Sequence, residues 1–317
     1  METSLVTDAH ALSALAPEWL ELWRRAPDAT PFQSPMWLLP WWRHFGSNEL
    51  HGITVRDAGR LQALAPLYII REDDQSLGLL LGTGISDYLD VLSIGDHENV
   101  IATALADVDC QLWDLQQLRP SSPLLKMQSP DGWNDSVEEQ EACPVLSLGE
   151  DLTSTHFRKK LRYYRRALGD IAFETATAEN LDGLLAALFA LHAARWQRRG
   201  MSGMLADDVV QQFHRHVARA MLDAGALRLY AIRVAGRIVA VFYGFASGDT
   251  VYYYLSGYDP DLEKFSPGTL IVAHAIEQAA RDGARTFDFL RGAEDYKYAW
   301  GAKDRMNRRR TLAPPPR

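Results

Sequence analysis

The segment DFLRGAEDYKYAW, Asp288 to Trp300, interleaves the carboxylates of Asp288, Glu294 and Asp295 and the cations Arg291 and Lys297 with aromatic side chains. A solvated loop has no need of the aromatics, and an apolar core does not accept the charges. The segment follows Thr286–Leu290, whose alternation reads as a strand. Acids and bases at a strand end suit a surface that positions a polar ligand and moves a proton.

Two other stretches carry chemistry. The turn EKFSPGTLI, Glu263 to Ile271, reads as a strand exit entering a helix, with Ser266 as cap, Pro267 in the first turn and Gly268 beside it. The first amides of a helix lack intrahelical partners and point outward with the positive end of the dipole, so the turn could seat a phosphate. Plain capping writes the same sequence. In HFRKKLRYYRRALG, Phe157, Leu161, Tyr164 and Leu168 share one helical face. Arg158, Lys159, Arg162, Arg165 and Arg166 share another, which asks for an anionic partner or for water.

The elements that must hold these residues come from periodicity. APEWLELWRRA is an amphipathic helix; SPMWLLPWWRHFG opens a second with Ser34 and Pro35 in capping order, and Pro40 should kink or restart it. Trp23, Trp37, Trp41 and Trp42 cluster here and are expected to pack. Strands follow in HGITVRDAGRLQALAPLYIIRE and LGLLLGTGISDYLDVLSIG, then a helix over 98–107 and a short strand over 112–115. Residues 120–145, rich in prolines and polar side chains, read as irregular. Helices are expected over 181–199 and 207–224, then a three-strand meander in ALRLYAIRVAGRIVAVFYGFASGDTVYYYLSGYDP, a helix ending at Gly283 and a fourth strand. ITVRDAGRLQALAPLYI echoes YAIRVAGRIVAVFYG, suggesting two similar domains in tandem. The expected class is α+β, with mostly antiparallel sheets flanked by helices. The expected division is residues 1–150, a basic helical connector over 151–170, and residues 171–317.

Bulk properties narrow the function. The chain has 317 residues, a net charge of −8 and the composition of an ordinary globular protein. Residues 1–150 hold 8 basic against 23 acidic side chains, a balance of −15, and the remainder holds 25 against 18, a balance of +7. The basic half therefore suits an anion. No base precedes Arg24, which argues against a secretory leader, and no apolar run is long enough to span a bilayer. Cys110 and Cys143 form no metal or disulfide framework, so a cytoplasmic location is expected. Metal hydrolysis finds no HExxH motif, and His214 and His216 fall on different helix faces. DNA binding lacks a groove-reading motif.

The pieces LHAARWQRRG, GALRLYAIRVAGRIVAVFYG, YYYLSGYDPDLEKFSPGTL and FDFLRGAEDYKYAWG, between Leu191 and Gly301, resemble the CelD-like (cellulose biosynthesis) acetyltransferase family of the GNAT superfamily. The tandem halves and basic connector also resemble FemAB-type aminoacyl-transferases, which are double GNAT domains. The resemblance implies acetyl-CoA, or another acyl-CoA, in the cleft where the third and fourth strands splay. Its pyrophosphate would rest on Lys264, Ser266, Pro267, Gly268, Thr269 and Leu270. The usual GNAT phosphate loop is richer in glycine, and Pro267 removes one donor, so Lys264 would supply charge and an aminoacyl-tRNA donor stays open.

Within that cleft Asp288 and Glu294 are the candidate bases, and Tyr254, Tyr258 or Tyr296 the candidate acid. Arg291, Tyr296 and Lys297, with Arg162, Arg165 and Arg166, are candidate acceptor contacts. The alternative for the cluster is structural: Asp288 pairing with Arg291, while Tyr298 and Trp300 close the core. The implied activity is N-acyl transfer to an amino sugar or a polysaccharide or cell-envelope precursor, without a metal, DNA or an integral membrane segment. The alternatives are aminoacyl transfer from tRNA and a GNAT-shaped binding protein without catalysis.

Overall fold

Two hairpins with the sequence Arg-x-Ala-Gly-Arg show how local chemistry sets this architecture. In the computed structural model, which describes residues 1–149, 155–198 and 200–315, Asp57 faces Arg60 and Val234 faces Arg237 across two-residue turns. The central residues are left-handed in both turns, Ala58 at φ 46 and Gly59 at φ 77, Ala235 at φ 48 and Gly236 at φ 79. Such turns match the twist of the strands they join. An alanine there is strained by about 1 kcal/mol, and the preceding arginine offsets it. Arg56 donates to the Gly59 carbonyl at 3.1 Å and Arg233 to that of Gly236 at 2.9 Å. Each arginine also pairs with a glutamate, Glu18 and Glu174 respectively, and each hairpin carries a bulge beside it. The echo between the halves is thus a shared structural device.

The chain forms two units, residues 1–142 with 305–317, and residues 143–304. The first contains β1 (Glu2–Val6), α1 (Ala9–Ala14), α2 (Ala16–Arg25), α3 (Pro35–Phe45), β2 (Glu49–Leu50), β3 (Gly52–Asp57), β4 (Arg60–Ala65), β5 (Leu67–Glu72), β6 (Gln75–Leu80), β7 (Leu92–Ser93), α4 (Glu98–Ala106), β8 (Leu112–Leu118) and α5 (Pro123–Lys126). Strand β9 (Asn134–Ser147) leads out of it. Strands β1-β3-β4-β7 make one sheet, and β8, β6, β5 and β2 lie in another. Ile53, Leu67, Ile69, Ile101, Trp113 and Leu115 belong to the core. Trp23 and Trp37 are buried and donate to the Thr30 carbonyl at 2.7 Å and Ser86 Oγ at 2.8 Å, so they pack as expected. Pro40 lies within α3, which runs through it.

The second unit contains α6 (Thr155–Leu168), β10 (Ile171–Thr175), α7 (Leu181–Gln197), α8 (Asp208–Asp223), β11 (Leu227–Val234), β12 (Arg237–Ser247), β13 (Thr250–Tyr258), α9 (Pro267–Arg281), β14 (Thr286–Asp288) and α10 (Asp295–Tyr298). Its sheet runs β10-β11-β12-β13-β14, and the end of β9, Val145–Ser147, pairs antiparallel with β14. Helices α6 and α9 cover one face, where Phe242, Tyr253, Ile271, Phe287, Phe289 and Trp300 form the core and Phe157, Leu161 and Tyr164 pack against it. Helix α7 covers the other: a Cβ on Gly257 would lie 2.9 Å from the His192 backbone nitrogen. The chain returns to the first unit through β15 (Lys303–Ala313), which pairs with β8.

Residues 120–145, expected to be irregular, hold α5 and most of the fourteen-residue β9. Polarity hid that strand because its partners are ionic. Asp135 pairs with Arg310, Glu138 with Arg309 and Glu139 with Arg308, all on β15.

Candidate active site

Strand β13 pairs in parallel with β14 only over Thr250–Tyr252 and Thr286–Asp288. After Asp288 the chain turns away: the Phe289 amide donates to the Pro144 carbonyl, and Leu290 is left-handed at φ 58. Among the described residues no strand joins Tyr253–Tyr258 on that edge, and the splay opens a cavity of about 400 Å³. A bulge decides which side chains enter it. Gly244 pairs with Tyr253 and Tyr243 with Leu255, leaving Tyr254 as the extra residue. Tyr253, Ser256 and Tyr258 thereby share the cavity face, although strict alternation would separate Tyr253 from the other two. The close approach requires glycine at 244, where a Cβ would lie 2.2 Å from the Tyr252 carbonyl oxygen.

Helix α9 forms one wall with Ser266, Gly268, Thr269 and Val272. Ser266 is left-handed at φ 48, and its carbonyl accepts from the Thr269 and Leu270 amides at 3.0 and 3.2 Å. With Pro267 lacking a donor, Gly268 carries the main outward amide of the first turn. A Cβ on Gly268 would meet the Tyr258 ring at 2.8 Å. Two cations complete the wall. Lys160 and Arg195 line the cavity, and Arg195 lies 5.1 Å over the Tyr258 ring with Nε buried and without a hydrogen-bond partner. Neither is ion-paired among the described residues. An anion could therefore be held by these cations with one amide, a thinner seat than a full helix start supplies.

The opposite wall is aromatic and hydroxylic. The Tyr253 hydroxyl bonds Ser256 Oγ, and its ring lies 6.5 Å from that of Tyr296. Burial pushes both phenols above their ordinary range; for Tyr296 the Tyr253 hydroxyl and the Glu294 carboxylate add to the effect. Both therefore stay protonated at neutral pH, with hydroxyls able to donate. Phe157 and Trp300, edge to face at 4.7 Å, close this end, and the carboxylates of Glu263 and Asp295 also line the cavity.

Of the residues expected from sequence, Tyr258, Ser266, Gly268, Thr269 and Tyr296 line this cavity. Others do not. Asp288 is 0% exposed, and its Oδ1 accepts from the Leu290 amide at 2.9 Å. The cavity lies on the sheet face of Phe287 and Phe289, so alternation sends Asp288 to the other face, where it caps the left-handed turn rather than facing a substrate. Tyr254, the bulged residue, contacts His214, Tyr243 and Phe245 away from the cavity.

Lys297 is a clamp rather than a substrate contact. At 3% exposure it donates to the Leu290, Arg291 and Gly292 carbonyls at 3.3, 2.6 and 3.0 Å and pairs with Glu294 at 2.9 Å. Glu294 and Arg291 lie in the loop so held and are not among the lining residues. Lys264 rests its ammonium 4.8 Å over the Phe265 ring, while Pro267 and Leu270 are buried in the base of α9. Arg162, Arg165 and Arg166 are exposed on α6; the cavity takes Phe157, Lys160 and Tyr164 instead. Sequence reasoning missed Lys160, Arg195, Tyr253 and Ser256. Lys160 sits one helical turn from Phe157 and Tyr164 and could have been found from that spacing.

Residues 153–298 match the family model described as an acetyltransferase (GNAT) domain. No curated protein is similar to the chain in sequence. Among solved structures the fold resembles FemX (TM-score 0.68, 11% identity, 98% of this chain and 97% of that one). It also resembles a conserved protein of unknown function from Bacteroides thetaiotaomicron (0.67, 13%, covering 98% and 100%). A third is the C-terminal domain of a protein assigned as a lysylphosphatidylglycerol synthetase from Agrobacterium fabrum (0.59, 11%, covering 96% and 92%). The matched residues 153–298 fall within the second unit, and the strand splay that opens the cavity lies within that match.

Proposed function

We propose that the second unit is a cytoplasmic N-acyltransferase of CelD-like type, using acetyl-CoA and acting on an amino sugar or polysaccharide precursor. The observation that supports this most is the β13–β14 splay, bordered by the start of a fifteen-residue helix and two cations without ion pairs among the described residues. The Gly268 amide, Arg195 and Lys160 hold the anionic part of the donor. Coenzyme A supplies an acyl carbon activated as a thioester. The Tyr253 and Tyr296 hydroxyls donate to oxygen or sulfur that gains charge as the C–N bond forms and the C–S bond breaks. Glu263 and Asp295 attract the acceptor as its ammonium, and either carboxylate can take the proton it loses. Trp300, Tyr296 and Phe157 offer the apolar faces on which a sugar ring stacks.

Aminoacyl-tRNA is the second reading for the donor, favoured by the thin amide seat at Pro267 and the exposed arginines of α6. Thiol release from acetyl-CoA with glucosamine as acceptor, run beside transfer from charged tRNA, separates the two. Acetyl-CoA turnover is expected, with Arg195→Met raising the donor KM about tenfold, the scale of one charged hydrogen bond. Turnover only with tRNA would overturn the thioester reading, and binding of CoA without turnover would leave a non-catalytic scaffold.

A further inference from the structure

The first unit has a cavity of its own, about 160 Å³, between the segment after α2, the β7–α4 connection and the start of α5. Asp90 lines it at 6% exposure. Its Oδ1 accepts from Ser122 Oγ at 2.8 Å and from the Val91 amide at 2.9 Å. Among the described residues no donor reaches Oδ2, so one oxygen of a buried carboxylate is left to the cavity. Facing the cavity, that oxygen keeps acceptor capacity for a donor that enters it.

We propose that this cavity binds a primary ammonium group, the end of an alkylamine or of an amino-bearing chain. Oδ2 of Asp90 accepts one of its N–H groups. The Ser93 hydroxyl, which donates to the Gly95 carbonyl at 3.0 Å, keeps lone pairs for a second. Asp28, Asp96 and Glu98 also line the cavity and draw a cation toward Asp90. Two cations stand near. Lys126 is exposed at the margin and forms no ion pair among the described residues, and Arg119 sits with its guanidinium 5.7 Å over the Tyr88 ring. Neither occupies the Oδ2 position. An organic ammonium fits better than a metal ion, because no group of three or more His, Cys, Asp or Glu among the described residues could hold one. The site is independent of the activity proposed for the second unit.

Ammonium binding requires ionised Asp90, whose carboxyl burial pushes up to about 7, against the lowering influence of Ser122 and Arg119. Calorimetric titration of the full chain with n-butylammonium chloride tests the site. An alkylammonium stays charged well above neutrality, so the pH dependence reports the protein. Affinity is expected to be about tenfold weaker at pH 6 than at pH 8, following the ionised fraction of one carboxyl titrating near 7. Binding at pH 8 should release less than one proton per ligand and at pH 6 nearly one. Asp90→Asn keeps the size and the Ser122 bond and should abolish binding. The double variant Asp96→Asn, Glu98→Gln should weaken it while keeping the pH ratio. No binding to the folded wild type at pH 8, an affinity independent of pH, or undiminished binding by Asp90→Asn would each overturn the proposal. So would displacement of butylammonium by equal concentrations of K⁺ or Mg²⁺, which would mark an inorganic cation site.

Discussion

Replacing Lys297 by methionine separates a structural lysine from a substrate-binding one. Methionine matches the stem but removes the ammonium, leaving the Leu290, Arg291 and Gly292 carbonyls without their shared donor. A hydrogen bond to a charged group contributes about 1.5–3 kcal/mol, so three bonds set a gross loss of about 5–9 kcal/mol. Relief from burying the cation and hydration of the two partly exposed carbonyls, at 291 and 292, offset more than half of it. The exposed Glu294 partner adds less than about 1 kcal/mol. A net destabilisation of about 2–4 kcal/mol is expected, read as a lower urea midpoint for the second unit by circular dichroism. Lys297→Arg should restore only part, because a planar guanidinium cannot converge on three carbonyls in the same space. A stability change below about 0.5 kcal/mol, with acceptor KM raised instead, would refute the clamp and return Lys297 to substrate binding.

Gly268→Ala should fold, since alanine favours a helix, but its Cβ displaces the Tyr258 ring beneath Arg195. Donor affinity measured by calorimetry should fall several-fold, and unchanged affinity would remove α9 from the donor site. Asp90→Asn should raise stability at pH 8 by a few kcal/mol in denaturant titrations and leave it unchanged at pH 4. A carboxyl raised from 3.8 to about 7 on folding contributes stability that is complete below pH 4 and lost as pH rises through 7. His192 and His274, both lowered to about 4 by burial, act oppositely, losing their contribution as pH falls toward 4. The difference between wild type and variant isolates Asp90, and a pH-independent difference would refute its raised value.

The meander, its flanking helices and the helix start at Ser266 were legible because each depends on residues close in the chain. The Arg-x-Ala-Gly-Arg hairpins are the clearest case, since turn, bulge and capping arginine all lie within a few positions. Strands β9 and β15 were not legible, because the ion pairs that stabilise them join residues some 170 apart in sequence. Asp288 stands apart from the cavity for a related reason. Alternation opposes it to Phe287 and Phe289, but which face bears the cavity depends on where α6 and α9 pack. Arg195 and Tyr253 were missed because α7 and the bulge meet the cavity only in the folded unit.

The bulge at Tyr254 makes the cavity wall a matter of parity. Side chains on either side of it can be exchanged one for another without changing which way they point. Adding or deleting a single residue between Thr250 and Tyr254 would exchange the faces of one arm of β13 relative to the other. Either the wall of Tyr253, Ser256 and Tyr258 would be split, or the pairing with β12 would have to slide by one position. The chemistry of this strand can be varied freely by substitution, whereas a one-codon change in length rewrites the whole wall at once.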